Sequence, residues 1–412
     1  MLLVAVVGVL GAMACIPPGK YTLPPCTQTA TPDNLQAQIN GASSGAVICM
    51  DSGVFRGSIV FQGKNGVTLR GQGPKTTVIS GGGVDGILVF NSQNLTFQNF
   101  SLYDGHPTDA YISNSQNIAL QGLDVGGGGI GIHFDAGSSG DITGSLIYGI
   151  DGDGVLIRHG STVQVDHSIV FNNGGSGVSA VGDTATVTLD NNVISHNAGP
   201  GVFAGEVPCA PLPGGRLDVP SCYLANPQAF VSAIHLTLNA NTVQESGSTG
   251  VVLFPGTTTT FTGNHIVGNR LTGVFVWGAN LTSQGDELSG NEEHAIELRA
   301  YPSPLQTPLL PAVGSLADDD VHDSIVLAAT GKLGGGVLAQ GARLDVTNSR
   351  IHDNRGIGLS FVNGSTGSVV GDQISDNGGS AICLANAGNV QVASNNVSGN
   401  ASDTAGVCVE TT

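Results

Sequence analysis

Six segments of this chain, each 23 residues long, can be laid under one another with their apolar, Asn and Gly positions aligned. They are residues 94–116, 162–184, 185–207, 258–280, 343–365 and 366–388. Each reads as a strand, a turn of the form N-x-I-x-x-N, and a second strand of the form G-V-x-V. In "RIHDNRGIGLSFV" (350–362), Ile351, Ile357, Leu359 and Phe361 are core material punctuated by Asn354 and Gly358. A fixed period in the twenties means stacked coils, each burying its apolar face against the next. Leucine-rich repeats share the period but need a Leu ladder, which is absent here. No helix-length segment fits inside a repeat.

Composition agrees with short strands and tight turns. Gly is high at 63 residues and charged residues make up only 11%. Val, Ile, Thr, Asn and Gly favour strands and turns over long helices. The net charge is −18 with only 13 Lys and Arg. That leaves no basic stripe to displace counterions from phosphate, so nucleic acid is excluded as a partner.

The pattern resembles the right-handed parallel β-helix of the pectate-lyase-like superfamily. This implies an all-β solenoid of about 12–13 coils with a 22–23-residue repeat. A short helix within "TPDNLQAQIN" (31–40), starting at Thr31 or Asp33, is expected to cap its N-terminal end. Asn172, Asn197, Asn269, Asn291, Asn354, Asn377 and Asn400 each follow an apolar residue by three. They are expected to stack on one corner, where Asn tolerates left-handed backbone and its amide bonds to neighbouring coils. The Gly before each V-x-V strand removes a Cβ clash.

Residues 1–15 are an apolar run too short to span a membrane, ending in "AMAC". The ending resembles a bacterial lipobox with Cys15 lipidated; the alternative is a plain signal peptide cleaved near Ala14. Residues 16–44 form a linker and cap, and residues 45–412 the β-helix, with Pro-rich insertions at 205–233 and 301–322. The expectation is an exported monomer, either a cell-envelope lipoprotein touching the membrane only through that lipid or a secreted protein. Cysteine use fits export: without Cys15, six remain in three local couples. Cys26 and Cys49 would staple the cap, and Cys209 and Cys222 an inserted loop. Cys383 and Cys408 share a column of the last two coils, close enough for a disulfide between in-register strands.

Strand side chains alternate inward and outward, so the G-V-x-V strands define outward columns. Towards the N-terminal half these place Tyr111 beside His133 and Asp135 beside Arg158. Asp104, His106, Asp109, Asp151, Asp153 and His159 come from nearby turns. Resemblance to superfamily members acting on uronic-acid polysaccharides implies roles for this patch. A base takes the proton α to a carboxylate, and a cation stabilises the resulting charge. Arg158 would be the cation and His133 or Tyr111 the base or acid. Asp135 with Asp153 would hold Ca²⁺, the one cofactor implied. The run Asp318, Asp319 and Asp320 is a second Ca²⁺ candidate. The aspartate triplet of polygalacturonases and the DPHE-type motif of alginate epimerases are absent.

A second patch is apolar: Phe203, Val252, Phe254, Phe275 and Trp277. Either the insertions fold over it, or it is the aromatic floor of a ligand groove with Glu297 and Arg299 at the rim. Two functions follow. One is a non-catalytic surface protein binding polysaccharide or a protein partner, favoured by the missing motifs. The other is a polysaccharide lyase or epimerase on acidic glycans. Convergence of His133, Asp135, Arg158 and Asp153 in an open groove would favour the second.

Overall fold

The computed structural model describes residues 24–206, 231–300, 310–325, 334–404 and 406. These wind as a parallel β-solenoid whose strands form sheets of 15, 14 and 13 among the described residues. One full turn runs through Thr184–Asp190, Val193–Ser195 and Val202–Gly205, one strand in each sheet in that order. Partners are parallel and in register, as in Val163 to Val187 to Leu236. The middle sheet's 14 strands make about 14 turns, more than the 12–13 expected. Two strands of one turn fall inside the expected insertion at 301–322. Val313–Ala317 and Asp320–His322 are ordinary strands with Leu316 and Val321 buried. Flanking Pro residues and the Asp run disguised their alternation.

Inward residues of successive coils form one apolar core from Ala30 to Ile382. Val, Ile and Leu supply most of it, because β-branched side chains pack well on a pleated surface. Phe fills the N-terminal coils, where Phe61 and Phe97 meet edge-on at 5.0 Å. Leu35–Gly41 is the capping helix, with Leu35 and Ile39 closing the core. It starts from Asn34 rather than Thr31 or Asp33; Thr31 instead opens the turn before it, its carbonyl accepting the Asn34 and Leu35 N–H groups at 3.1 and 3.2 Å.

The corner after the 14-stranded sheet divides between two residues the two roles expected of one Asn. The first takes the left-handed backbone: Asn172, His196, Asp353 and Asp376 have φ of 55, 55, 54 and 57°. The next builds the ladder. Asn173 donates to Asn197 at 2.9 Å, Asn269 to Asn291 at 3.0 Å, and Asn354 to Asn377 at 2.9 Å. Asn173, not Asn172, is therefore the rung in its coil, while the other expected Asn residues are rungs. The ladder explains the glycines. A Cβ on Gly250 would lie 2.7 Å from Asn269 Nδ2 and 2.6 Å from the Gly273 carbonyl.

Asn269→Ala tests the ladder. It strips partners from the Ser246 N–H and the Val243 carbonyl, which Asn269 now satisfies at 3.1 and 3.3 Å. Leaving buried polar groups unpaired is expected to cost roughly 3 kcal/mol, read as a lower midpoint in urea unfolding.

A second ladder follows the 15-stranded sheet and has mixed residue types. The Ser168 N–H donates to Asn192, Asn241 to Asn264, Asp286 to Asp319 and Ser349 to Asp372, at 2.8–2.9 Å.

Cys26 and Cys49 form the expected disulfide, 5.7 Å apart at Cα. Cys383 is disulfide-bonded, but its backbone pairs with Gly406, shifting the expected register of the last strand by two residues. Cys408, Cys209 with Cys222, Cys15 and residues 207–230 lie outside the described residues.

Candidate active site

The outward columns of the 13-stranded sheet follow the register expected from the sequence. Tyr111 pairs with His133, His133 with Leu156, Leu156 with Ser179 and Ser179 with Phe203; Ser113 pairs with Asp135. Two strands carry the polar patch: Thr108–Ser113 (β1 here) and Ile130–Asp135 (β2). The next strand is Val155–Arg158 (β3), and the left-handed His159 follows it with φ of 46°.

Asp135 is the hub. Its Oδ1 accepts the His159 Nδ1–H at 2.6 Å and its Oδ2 accepts the Tyr111 hydroxyl at 3.1 Å. Burial pushes the Asp135 carboxyl up, but hydrogen bonds from His159, the Ala136 N–H and Tyr111 outweigh it and hold it below its ordinary range. Burial raises Tyr111, keeping it a phenol. The His159 side chain is 50% exposed, and its Nε2 makes no hydrogen bond among the described residues. The Arg158 guanidinium makes no hydrogen bond or ion pair among them either, and its Nε is buried without a partner.

His133 packs edge-on against Tyr111, with ring centroids 5.1 Å apart. Burial drives its imidazole down to about 4, so the ring is neutral at neutral pH. Its Nε2 is buried without a partner. The more accessible imidazole of the patch is His159, a turn residue whose role the column pattern left open.

Asp153 does not join Asp135. It precedes β3 by two residues and accepts the Ser176 N–H at 2.7 Å. Asp135 lies at the far end of β2, beside the Arg158 position. Five positions along a strand separate the two sites, ~16 Å, so this pair does not converge on one ion. The run 318–320 disperses too. Asp318 takes the left-handed turn, Asp319 is buried in the second ladder, and Asp320 faces outward with Arg350 and His352. Among the described residues no group of three or more His, Cys, Asp or Glu side chains is arranged to hold a metal ion.

Four residues of the apolar patch, Phe203, Val252, Phe254 and Trp277, are buried, and Phe275 is partly buried. Phe254 is 2% exposed and Trp277 9%. Phe254 meets Phe203 and Trp277 edge-on at 5.1 and 5.5 Å. Arg299 lies 5.8 Å above Phe275 and bonds to Glu297, which is itself buried rather than at a rim.

Two polar clusters on the 14-stranded sheet were invisible to column reasoning on the other face. Gly126 stands between Tyr103 and Tyr148, whose hydroxyls bond at 2.6 Å beside Asp124. Further along, His322 and His352 stack at 5.0 Å; His322 lies beside Glu287 and Asp323, and His352 between Asp320 and Asp353. Period-2 alternation within "DVH" (320–322) and "RIH" (350–352) was the available signal.

The family model described as right handed beta helix region matches residues 85–207 and 314–412, together more than half of the chain. The chain belongs to this family. The solved structures it is similar to include the A-module of mannuronan C-5 epimerase AlgE6 from Azotobacter vinelandii. That match has a TM-score of 0.61 and 16% identity, over 89% of this chain and 94% of that one. Another is the catalytic unit of a thermostable GH87 α-1,3-glucanase from Streptomyces thermodiastaticus. Its TM-score is 0.60 at 13% identity, over 90% of this chain and 69% of that one. At such identity the likeness is one of fold. No curated protein matches the sequence.

Proposed function

We propose that this β-helix protein is a carbohydrate-active enzyme that abstracts the proton α to a carboxylate in an acidic glycan, as a lyase or epimerase. The observation that carries the reading is the Tyr111–Asp135–His159 chain beside the unpaired Arg158. A carboxylate that fixes one imidazole nitrogen leaves the other to act as base. Here His159 Nε2 takes the proton and Arg158 meets the sugar carboxylate as negative charge builds on it. The phenol of Tyr111 then donates. In elimination the C–H electrons form a C=C bond while the glycosidic C–O bond breaks, and the departing oxygen takes the Tyr111 proton. In epimerisation the same carbon is reprotonated from the opposite face and no C–O bond breaks. His133 supports the Tyr111 ring. Burial of Phe254 and Trp277 weakens the binding-only reading, which needed them as an open floor. The fold shared with an epimerase module and a glucanase unit makes a glycan substrate reasonable without naming it.

The test is a panel of pectate, alginate, hyaluronan and neutral glycans. Ultraviolet absorbance reports unsaturated ends, and NMR in D₂O reports exchange at the acidic carbon. Turnover of one acidic glycan, reduced about 10³-fold by His159→Ala, is the expected result. A folded protein that neither eliminates nor exchanges on any acidic glycan would sink the catalytic reading.

A further inference from the structure

A shallow, open polar cleft of about 350 Å³ lies where the 13-stranded sheet turns into the 15-stranded sheet, in three coils near the N-terminal end. Lys64, Asn65, Asn91, Gln93, Asn114 and Gln116 supply its functional side chains, and no carboxylate lines it. That is an unusual wall for a chain of net charge −18. Lys64 is half-buried, and among the described residues its ammonium bonds only to the Asn40 and Ala42 carbonyls, at 2.7 and 3.4 Å. It has no ion pair among the described residues.

The cleft lies on the same corner as His159. The Gly63 N–H donates to Phe90, Asn91 to Ser113, Asn114 to Asp135 and Gly137 to His159, coil by coil. His159 therefore stands two coils beyond Asn114, ~10 Å along the rod. Asn91 and Asn114 are themselves linked, Asn114 Nδ2 donating to Asn91 Oδ1 at 2.7 Å. Phe90 joins cleft and site, meeting Tyr111 edge-on at 5.8 Å.

We infer that this cleft is a second binding site for uronate residues, holding the stretch of acidic glycan that flanks the residue at His159. Lys64 takes a sugar carboxylate, and the amides of Asn91 and Asn114 take hydroxyls, while Gln116 is held by the Gly137 carbonyl and the Ser139 hydroxyl. The glycan then runs along the rod axis, each sugar about one coil spacing long. The inference rests on the proposed function, but binding and turnover are separable.

The experiment measures calorimetric binding of a short and a long uronate oligosaccharide, beside turnover, for the full chain and its variants. Lys64→Gln keeps a donor for the Asn40 carbonyl and removes the charge. Asn91→Asp with Asn114→Asp adds negative charge at φ of 48 and 46°, which Asp tolerates. Asn91→Gly with Asn114→Gly removes the amides with no strain, should the Asp pair fail to fold. Each change is expected to weaken the long oligosaccharide about tenfold or more, to raise KM on it, and to leave the short one and kcat nearly unchanged. Unchanged affinity of every folded variant for the long oligosaccharide overturns the cleft even if the native chain turns it over. A native chain that binds the long form no better than the short one overturns it as well. Length-dependent binding that the variants lose, without turnover by the native chain, supports the cleft and sinks the catalytic reading instead.

Discussion

Asp135→Asn is expected to lower kcat on the responsive glycan by about 10³-fold, with KM changed little. Both carboxylate oxygens of Asp135 accept hydrogen bonds, one from His159 and one from Tyr111. An Asn side chain offers one acceptor and one donor in the same space. If the amide oxygen faces Tyr111, the NH₂ group faces His159 Nδ1. The imidazole must then carry its proton on Nε2, the atom that has to accept one from the substrate. If the amide is reversed, it opposes the Tyr111 hydroxyl and disturbs the proton donor. Arg158 is untouched in either case, so affinity for an acidic sugar persists. His133→Phe is the contrast. It keeps an aromatic ring against Tyr111 and removes an imidazole that is already neutral and buried, so most of the turnover is expected to survive. Initial rates against glycan concentration decide both. If Asp135→Asn stays within threefold of the native kcat while His133→Phe abolishes it, the roles given to Asp135, His159 and His133 are wrong.

The architecture was legible because a solenoid writes its geometry into sequence periodicity. Tyr111, His133 and Leu156 could be set side by side from spacing alone, since in-register parallel strands turn offsets of 22 and 23 residues into lateral contacts. Spacing does not report how far an outward side chain is covered. Trp277 lies in its expected strand and Phe254 just past the end of Val251–Leu253, yet both are buried and meet edge-on. Turn residues were the other blind spot. His159 points at Asp135 because a left-handed φ swings it back over the strand, and alternation along strands carries no information about that. Asp153 shows the reverse failure. Its sequence proximity to β3 suggested a shared site with Asp135, but the turn directs it to Ser176 in the next coil. The second ladder escaped because Ser, Asn and Asp fill equivalent slots, all accepting one backbone N–H, so no single letter repeats.

That interchange of Asn and Asp makes the stability of the rod pH-dependent, with stability expected to fall as pH rises from about 4 to 8. In the second ladder Asn264 both accepts and donates, its Nδ2 reaching the Leu238 carbonyl at 2.9 Å. Asp319 and Asp372 occupy equivalent slots. Each accepts a backbone N–H through Oδ1 and leaves Oδ2 buried without a partner. Asp109, beneath the glycine run at 126–129, has the same arrangement with the Gly105 N–H at 2.8 Å. Burial pushes these carboxyls up, Asp109 to about 8, Asp319 to about 7 and Asp372 to about 6. The folded chain thus holds protons that the unfolded chain has released above its ordinary value of 3.8. The stabilisation is complete below that value and is lost as pH climbs through each raised value. At pH 8 the loss is on the order of 3 kcal/mol for Asp372, the smallest of these shifts, and more for the other two, read as a melting temperature several degrees lower than at pH 5. Asp319→Asn isolates the cause from the other titrating groups, because it supplies permanently the donor that Asp319 has only when protonated. Calorimetry of the variant is expected to show a higher melting temperature than the native chain at pH 8 and nearly the same one at pH 4. Equal destabilisation at both pH values would mean that the Asp319 slot needs a carboxylate, and that the ladder does not run on its proton.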